Sequence, residues 1–181
     1  MKALLDEFVA HMKYTIDDEL LDAFGTNCEN AGWDYEDNSN ILYKGFSTGD
    51  VMKCKLMSAA LVFMNTVRIG KNAHSDRSPN DQDMREILGC VVVNMYMNIL
   101  RNAKCGHKWK GIHYAWKVAK KMGNDEGGAA FRSAITHGTC SRDGWRYLNI
   151  GKKDIRSAVD AWLRNNEHIM AEIQKAEASA E

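Results

Sequence analysis

Proline occurs once in these 181 residues, at Pro79, and this scarcity constrains the fold more than any other feature of the sequence. Proline disrupts a helix interior, so a chain that avoids it and uses ten Met can be helical over long stretches. Its 45% apolar content and zero formal net charge are typical of a folded domain. We therefore predict an all-α fold with a single domain over residues 1–176 and a tail or linker over residues 177–181.

Apolar residues recur at three- and four-residue steps, which predicts a bundle of five or six helices. The predicted ranges are residues 1–24, 50–68, 78–102, 107–121, 126–136 and 154–176. Asp50 or Thr48 lies near the cap of the second helix, and Ser78-Pro79 begins the third. The third helix includes Val91-Val92-Val93, where β-propensity alone would favour a strand. Residues 25–50 show no sustained period and predict a long N-terminal loop.

The charges are unevenly distributed along the chain. Residues 1–50 carry eleven acids and three bases, a balance of −8, whereas residues 51–124 carry thirteen bases and four acids, a balance of +9. Either the acidic and basic segments pack together within one domain, or the basic stretch meets an anionic partner.

The segment 101–121 combines seven bases with no acid and interleaves Trp109, Tyr114 and Trp116. A nucleic-acid surface uses the same mixture, with cations for phosphates and ring faces for bases. An amphipathic helix with a solvated basic face has this pattern as well. The candidate anion-binding residues are Arg101, Lys104, Lys108, Lys110, Lys117, Lys120 and Lys121.

Five cysteines leave three interpretations open. Two disulfides and one free thiol can be chosen from Cys28, Cys54, Cys90, Cys105 and Cys140 in fifteen ways. All five could equally be reduced and buried as small apolar side chains. In the third interpretation Cys105, His107, His137 and Cys140 form a tetrahedral zinc site, although their spacings are unusual for zinc modules.

No catalytic motif is present. The sequence lacks a nucleophile elbow and a phosphate loop, and the acidic run Asp17-Asp18-Glu19 is typical of a solvated helix edge. It also lacks an apolar run of roughly 18–20 residues, so membrane attachment would require segments outside this chain. We predict a non-enzymatic protein without a cofactor or a small-molecule substrate.

Three motifs together resemble a known family. They are Cys54–Asn65, then Cys90–Asn98 followed by Cys105-Gly106, and Gly151–Asp154 leading into Ala161–Asn166. Over residues 50–175 this order resembles the cysteine-rich extracellular domains of the schizont-infected cell agglutination (SICA) variant antigens of malaria parasites.

The resemblance implies a helical, disulfide-stabilised module on the surface of the infected red cell. There it would meet host antibodies or a host receptor, and variation of its exposed residues would serve immune evasion. The resemblance implies no catalytic residues. It implies roles only for the cysteines, which are Cys54, Cys90, Cys105, Cys28 and Cys140. The alternative hypothesis is a cytoplasmic helical protein that binds nucleic acid through residues 101–121.

Overall fold

The computed structural model describes residues 1–15, 18–29, 33–35, 38–43, 47–69, 79–124, 140, 149–150 and 153–179. In this part of the chain lie seven α-helices: α1 (Lys2–Thr15), α2 (Asp18–Phe24), α3 (Thr48–Ile69), α4 (Pro79–Asn102), α5 (Lys110–Asn124), α6 (Ile155–Arg164) and α7 (Glu167–Ala178). A 3-10 helix (Thr26–Glu29) follows α2. Two short antiparallel strand pairs are also present, β1 (Trp33–Tyr35) with β2 (Asn38–Tyr43) and β3 (Asn149–Ile150) with β4 (Lys153–Asp154). The predicted helical bundle is confirmed.

The central element is α3, which packs against α1, α2, α4, α5 and α7. Its apolar residues occupy most sides of the helix, as a helix surrounded by others requires. The ring of Phe8 in α1 lies 5.1 Å from that of Phe63 in α3 and 5.4 Å from that of Tyr96 in α4, both edge to face. This aromatic cluster joins three helices in the core.

The first predicted helix, residues 1–24, is two helices, because α1 ends at Thr15 and α2 begins at Asp18. The hydroxyl of Thr15 donates hydrogen bonds to the carbonyl oxygens of His11 and Met12, at 2.9 and 3.0 Å, and so satisfies acceptors at the helix end. Residues 16 and 17 lie outside the described residues. Gly25 follows the last residue of α2, as predicted.

The last predicted helix, residues 154–176, is also divided, at Asn165 and Asn166. Asn166 has an extended backbone (φ −84°, ψ 112°), and its side chain accepts a hydrogen bond from the N–H of Ile169. This is the geometry of a helix N-cap, so a new helix starts where apolar periodicity alone suggests continuity.

The long loop predicted over residues 25–50 contains regular structure. The 3-10 helix opens it, and β1 and β2 form a hairpin with Trp33 opposite Tyr43 and Tyr35 opposite Asn38. A strand of three residues is too short for alternation of apolar and polar side chains to be visible in the sequence. The fifth predicted helix, residues 126–136, lies outside the described residues.

The third predicted helix is confirmed as α4, including the valine run that could have been a strand. The fourth begins at Lys110 and not at His107, because residues 103–109 form a turn that is bonded to the start of α3. Two buried charged residues, Asp50 and Lys53, lie at this junction.

Candidate functional site

The junction is built on the first turn of α3. Asp50 is 0% exposed, and its carboxylate accepts hydrogen bonds from the backbone N–H and the hydroxyl of Ser47, both at 3.0 Å. The N–H of Asp50 donates back to the Ser47 hydroxyl at 3.2 Å. These reciprocal bonds have the form of a capping box with Asp in the third helical position. The cap residue is therefore Ser47, and Thr48 and Asp50, the first and third helical residues, lie near it as predicted.

The same carboxylate holds the turn between α4 and α5. Its second oxygen accepts from the backbone N–H of His107 at 2.7 Å, and the ring Nδ1 of His107 lies 2.9 Å from the oxygen that bonds Ser47. Burial alone would raise the pKa of Asp50, but the hydrogen bonds from Ser47 and His107 outweigh it and hold that pKa below its usual value. The charged side chain of Asp50 thus connects the start of α3 to the turn between α4 and α5.

Lys53 lies one helical turn further along α3 and is 1% exposed. Its ammonium donates to the carbonyl oxygens of Ala103 at 3.1 Å and His107 at 3.3 Å. Lys53 therefore binds backbone acceptors of the turn, whereas Asp50 binds a backbone donor of the same turn. Burial lowers the pKa of Lys53, and Cys105, Asp50 and Glu177 partly oppose that shift electrostatically. The cluster fixes the backbone of residues 103–109.

Close packing at this junction depends on glycine. Gly106 has a positive φ of 57°, a conformation that most side chains disfavour, and a Cβ there would lie 2.6 Å from the Asp50 nitrogen. A Cβ on Gly111 would lie 2.0 Å from the Asp50 carbonyl oxygen. The first turn of α5 can approach α3 closely only because this side chain is absent.

Cys105, His107 and Asp50 are the residue types of a nucleophilic site, but their geometry does not support that chemistry. Cys105 is 3% exposed, and burial raises the pKa of its thiol while nearby Lys53 only partly opposes the shift. A thiol of this kind is a poor nucleophile, since the thiolate is the reactive form. The side chain of His107 is 61% exposed, and its ring is oriented by the carboxylate of Asp50. Asp50 and His107 can instead hold the turn between α4 and α5 in position.

The predicted basic surface divides into an exposed part and a partly covered part. Lys104, Lys108, Lys120 and Lys121 are exposed, whereas Arg101, Lys110 and Lys117 are half-buried. The guanidinium of Arg101 lies 5.0 Å from the ring centre of Trp109, a cation–π contact. The ring of Trp109 also lies 5.2 Å from that of His113.

The aromatic residues of this segment are less available than the sequence suggested. Trp116 is 8% exposed and belongs to the core, and Tyr114 is half-buried against it. Trp109 is half-buried, and Arg101 covers a face of its ring. The amphipathic-helix interpretation therefore accounts for these rings, with lysines on the outer side of α5.

Two disulfides are present, Cys28–Cys54 and Cys90–Cys140, with Cα atoms 5.8 and 5.5 Å apart. The first joins the 3-10 helix to α3, and the second joins Cys140 to α4. Cys105 is the free thiol, so the cysteine role that the family resemblance transfers to it is not a disulfide in this fold.

The zinc interpretation is wrong in the form predicted. Cys140 is bonded to Cys90 and cannot supply a thiolate, and His137 lies outside the described residues. Among the residues that the structure describes, no group of three or more His, Cys, Asp or Glu side chains could hold a metal ion. The predicted set therefore lacks one of the four ligands that a tetrahedral structural zinc requires.

Sequence reasoning missed two features. The Asp50–Lys53–His107 cluster joins residues more than fifty positions apart, and only the Ser47-x-x-Asp50 spacing hinted at it. The second is an apolar groove of about 330 Å³ between α1 and α4, where Met1 is 55% and Met84 is 44% exposed. The ion pair between Arg85 and Glu7 lies beside this groove.

Comparison of the chain with protein-family models, with curated proteins and with solved structures found no significant match. In the described ranges, none of the helices combines the length and the apolarity needed to cross a membrane. The two disulfides and the helical bundle are the features from which a function can be argued.

Proposed function

We propose that this chain is a non-enzymatic extracellular interaction module, of the kind displayed as a variant antigen or adhesion domain on a parasite-infected red cell. Host antibodies or a host receptor would be its partners. Exposed surface on a rigid helical frame would carry the contacts, because such surface tolerates variation that a packed core does not.

The pair of disulfides is the observation that carries this proposal. Disulfides persist in oxidising compartments and are rare in the cytosol, where thiols are kept reduced. One bridge joins Cys28 of the 3-10 helix to α3, and the other joins Cys140 to α4. Bridges of this type hold the connecting segments of a module in place outside the cell.

The family resemblance supports the same proposal at the level of the framework. The motif from Cys54 to Asn65 lies within α3, and the motif from Cys90 to Asn98 lies within α4. Cys54 and Cys90 are one partner of each bridge, and most of their neighbours in these motifs are buried. The resemblance therefore concerns core and disulfides, which a family of variable antigens would keep while its surface changes.

Antibodies raised against the folded chain test the proposal. They should bind intact, non-permeabilised infected red cells of the organism that encodes the chain. Their binding should fall when the antibodies are first mixed with the folded chain, but not with the reduced and alkylated chain, because reduction removes both bridges. Staining that requires permeabilisation would contradict an extracellular role.

The alternative is an intracellular protein that binds nucleic acid through residues 101–121. Exposed Lys104 and Lys108 favour an anionic partner of some kind, but the rings required for base stacking are buried or covered. The exposed lysines therefore support binding to an anionic partner, whereas the covered rings do not support recognition of bases.

A further inference from the structure

The turn between α4 and α5 presents cations on a fixed backbone. We define the basic turn as Arg101, Lys104 and Lys108, of which the two lysines are exposed and the arginine is half-buried. Segment 101–121, to which they belong, contains no acidic residue. The positive charge of this turn is therefore not cancelled by its neighbours in the sequence.

In the described part of the chain, the carboxylates of Asp50 and Glu177 accept hydrogen bonds from the turn between α4 and α5. Asp50 is buried, and its oxygens are occupied by Ser47 and His107. Glu177 of α7 accepts a hydrogen bond from the backbone N–H of Lys104. Three cations and the buried Lys53 beneath them thus face two acids, and the local balance is positive.

The backbone that carries these cations is ordered before any ligand arrives. Asp50 binds the N–H and the ring of His107, and Lys53 binds the carbonyl oxygens of Ala103 and His107. Gly106 completes the turn with its positive φ. A preorganised turn loses little conformational entropy on binding, which makes a modest number of ionic contacts more effective.

We infer that the basic turn binds the sulfate groups of a linear sulfated polysaccharide. Such a ligand presents repeated anionic groups and requires no base stacking, which suits a surface where Arg101 covers Trp109 and Trp116 belongs to the core. The choice of a polysaccharide over a nucleic acid rests on the proposed extracellular function, since sulfated glycans are polyanions found outside cells.

Heparin is the probe for this inference, with the full chain in salt of about 150 mM. Lys104→Gln with Lys108→Gln should weaken heparin binding by about fivefold or more, as expected for two exposed ionic contacts. The slope of the logarithm of the binding constant against the logarithm of salt concentration should fall by about 1.5. Both side chains are exposed, so the double variant should keep the wild-type melting temperature.

Lys2→Gln with Lys13→Gln is the matched control, because it removes the same charge from two exposed lysines of α1. Its affinity should stay within about twofold of wild type. Equal weakening by both double variants would overturn the inference, since bulk charge would then explain the binding. Lack of heparin binding by the wild-type chain, or tighter binding of a single-stranded oligonucleotide of equal charge, would overturn it as well.

Failure of this inference and failure of the proposed function give different results. A chain that ignores heparin but is stained on intact cells would remain an extracellular module without this ligand. If the chain binds heparin through Lys104 and Lys108 but is found only inside cells, the anion-binding surface is supported and the extracellular function is contradicted.

Discussion

At the scale of single residues, Asp50 is the group on which the junction most depends. It is fully buried yet charged, and hydrogen bonds from Ser47 and His107 compensate for its loss of water. The sequence predicted a helix start at this position, because Asp, Thr and Ser are common near helix N-termini. It could not predict His107 as a partner, since 57 residues separate the two and no local pattern connects them.

Asp50→Asn should lower the free energy of unfolding by about 2–3 kcal/mol near pH 7. The substituted amide is neutral, and its NH₂ group would face N–H donors of Ser47 or His107 that now bond to carboxylate oxygens. Urea unfolding followed by circular dichroism measures the loss. Asp6→Asn is the control, because Asp6 is exposed on α1, and it should change stability by less than about 0.5 kcal/mol.

The lowered pKa of Asp50 predicts that the stability lost in the same variant depends on pH. The pKa of Asp50 is lowered in the folded state, so its stabilising contribution is complete above the unfolded pKa of about 4 and is lost as pH falls through the folded value. The difference in stability between wild type and Asp50→Asn should therefore be constant from pH 5 to pH 7 and shrink below about pH 4. A difference that does not change down to pH 3 would show that the charge of Asp50 is not the source of the effect.

At the scale of elements, periodicity predicted where helices lie better than where they end. The third predicted helix matches α4, because its cap, its proline and its apolar run all agree. Asn166 divides the last predicted helix, because an N-cap is a local hydrogen bond that an uninterrupted apolar stripe conceals. The hairpin of β1 and β2 was not predicted, since β1 has only three residues and the pairing of the two strands depends on the backbone.

The close approach of α5 to α3 predicts that a side chain at residue 111 is destabilising. Gly111→Ala should lower the free energy of unfolding by about 2–3 kcal/mol, because its Cβ would lie 2.0 Å from the Asp50 carbonyl oxygen and backbone would have to move. Chemical unfolding of the purified variant measures this loss of stability.

Gly89→Ala is the matched comparison, since Gly89 also lies within a helix. Its Cβ would meet the flexible side chain of Met64, with Sδ at 3.2 Å, and alanine favours the helix. We expect its stability to stay within about 1 kcal/mol of wild type. Equal losses in the two variants would mean that close backbone approach does not explain the requirement at residue 111.

At the scale of the whole molecule, one central helix and two covalent bridges organise the fold. The sequence indicated both features, through the apolar character of α3 and the number of cysteines, but left fifteen ways to pair two bridges. Pairing depends on which helices are neighbours, and that information belongs to the packed structure. Cys105 forms no disulfide and is buried close enough to Lys53 to interact with it electrostatically.

Removal of either bridge tests how far it stabilises the fold. The disulfides close segments of 26 and 50 residues, which limits the unfolded chain. Cys28→Ala with Cys54→Ala, and Cys90→Ala with Cys140→Ala, should each lower the free energy of unfolding by about 3–4 kcal/mol. Cys105→Ala is the control and should lose about 1 kcal/mol, the effect of trimming a small buried side chain. Losses as small as that of the control would contradict a stabilising role for the bridges.

The native chain carries two disulfides and one protected thiol. The most direct measurement is alkylation of unreduced protein secreted from a eukaryotic host, first folded and then denatured, with the labelled positions identified by mass spectrometry. We predict negligible labelling of the folded chain and, after denaturation, a single label on Cys105. Labels on all five cysteines would contradict the claim and with it the extracellular function.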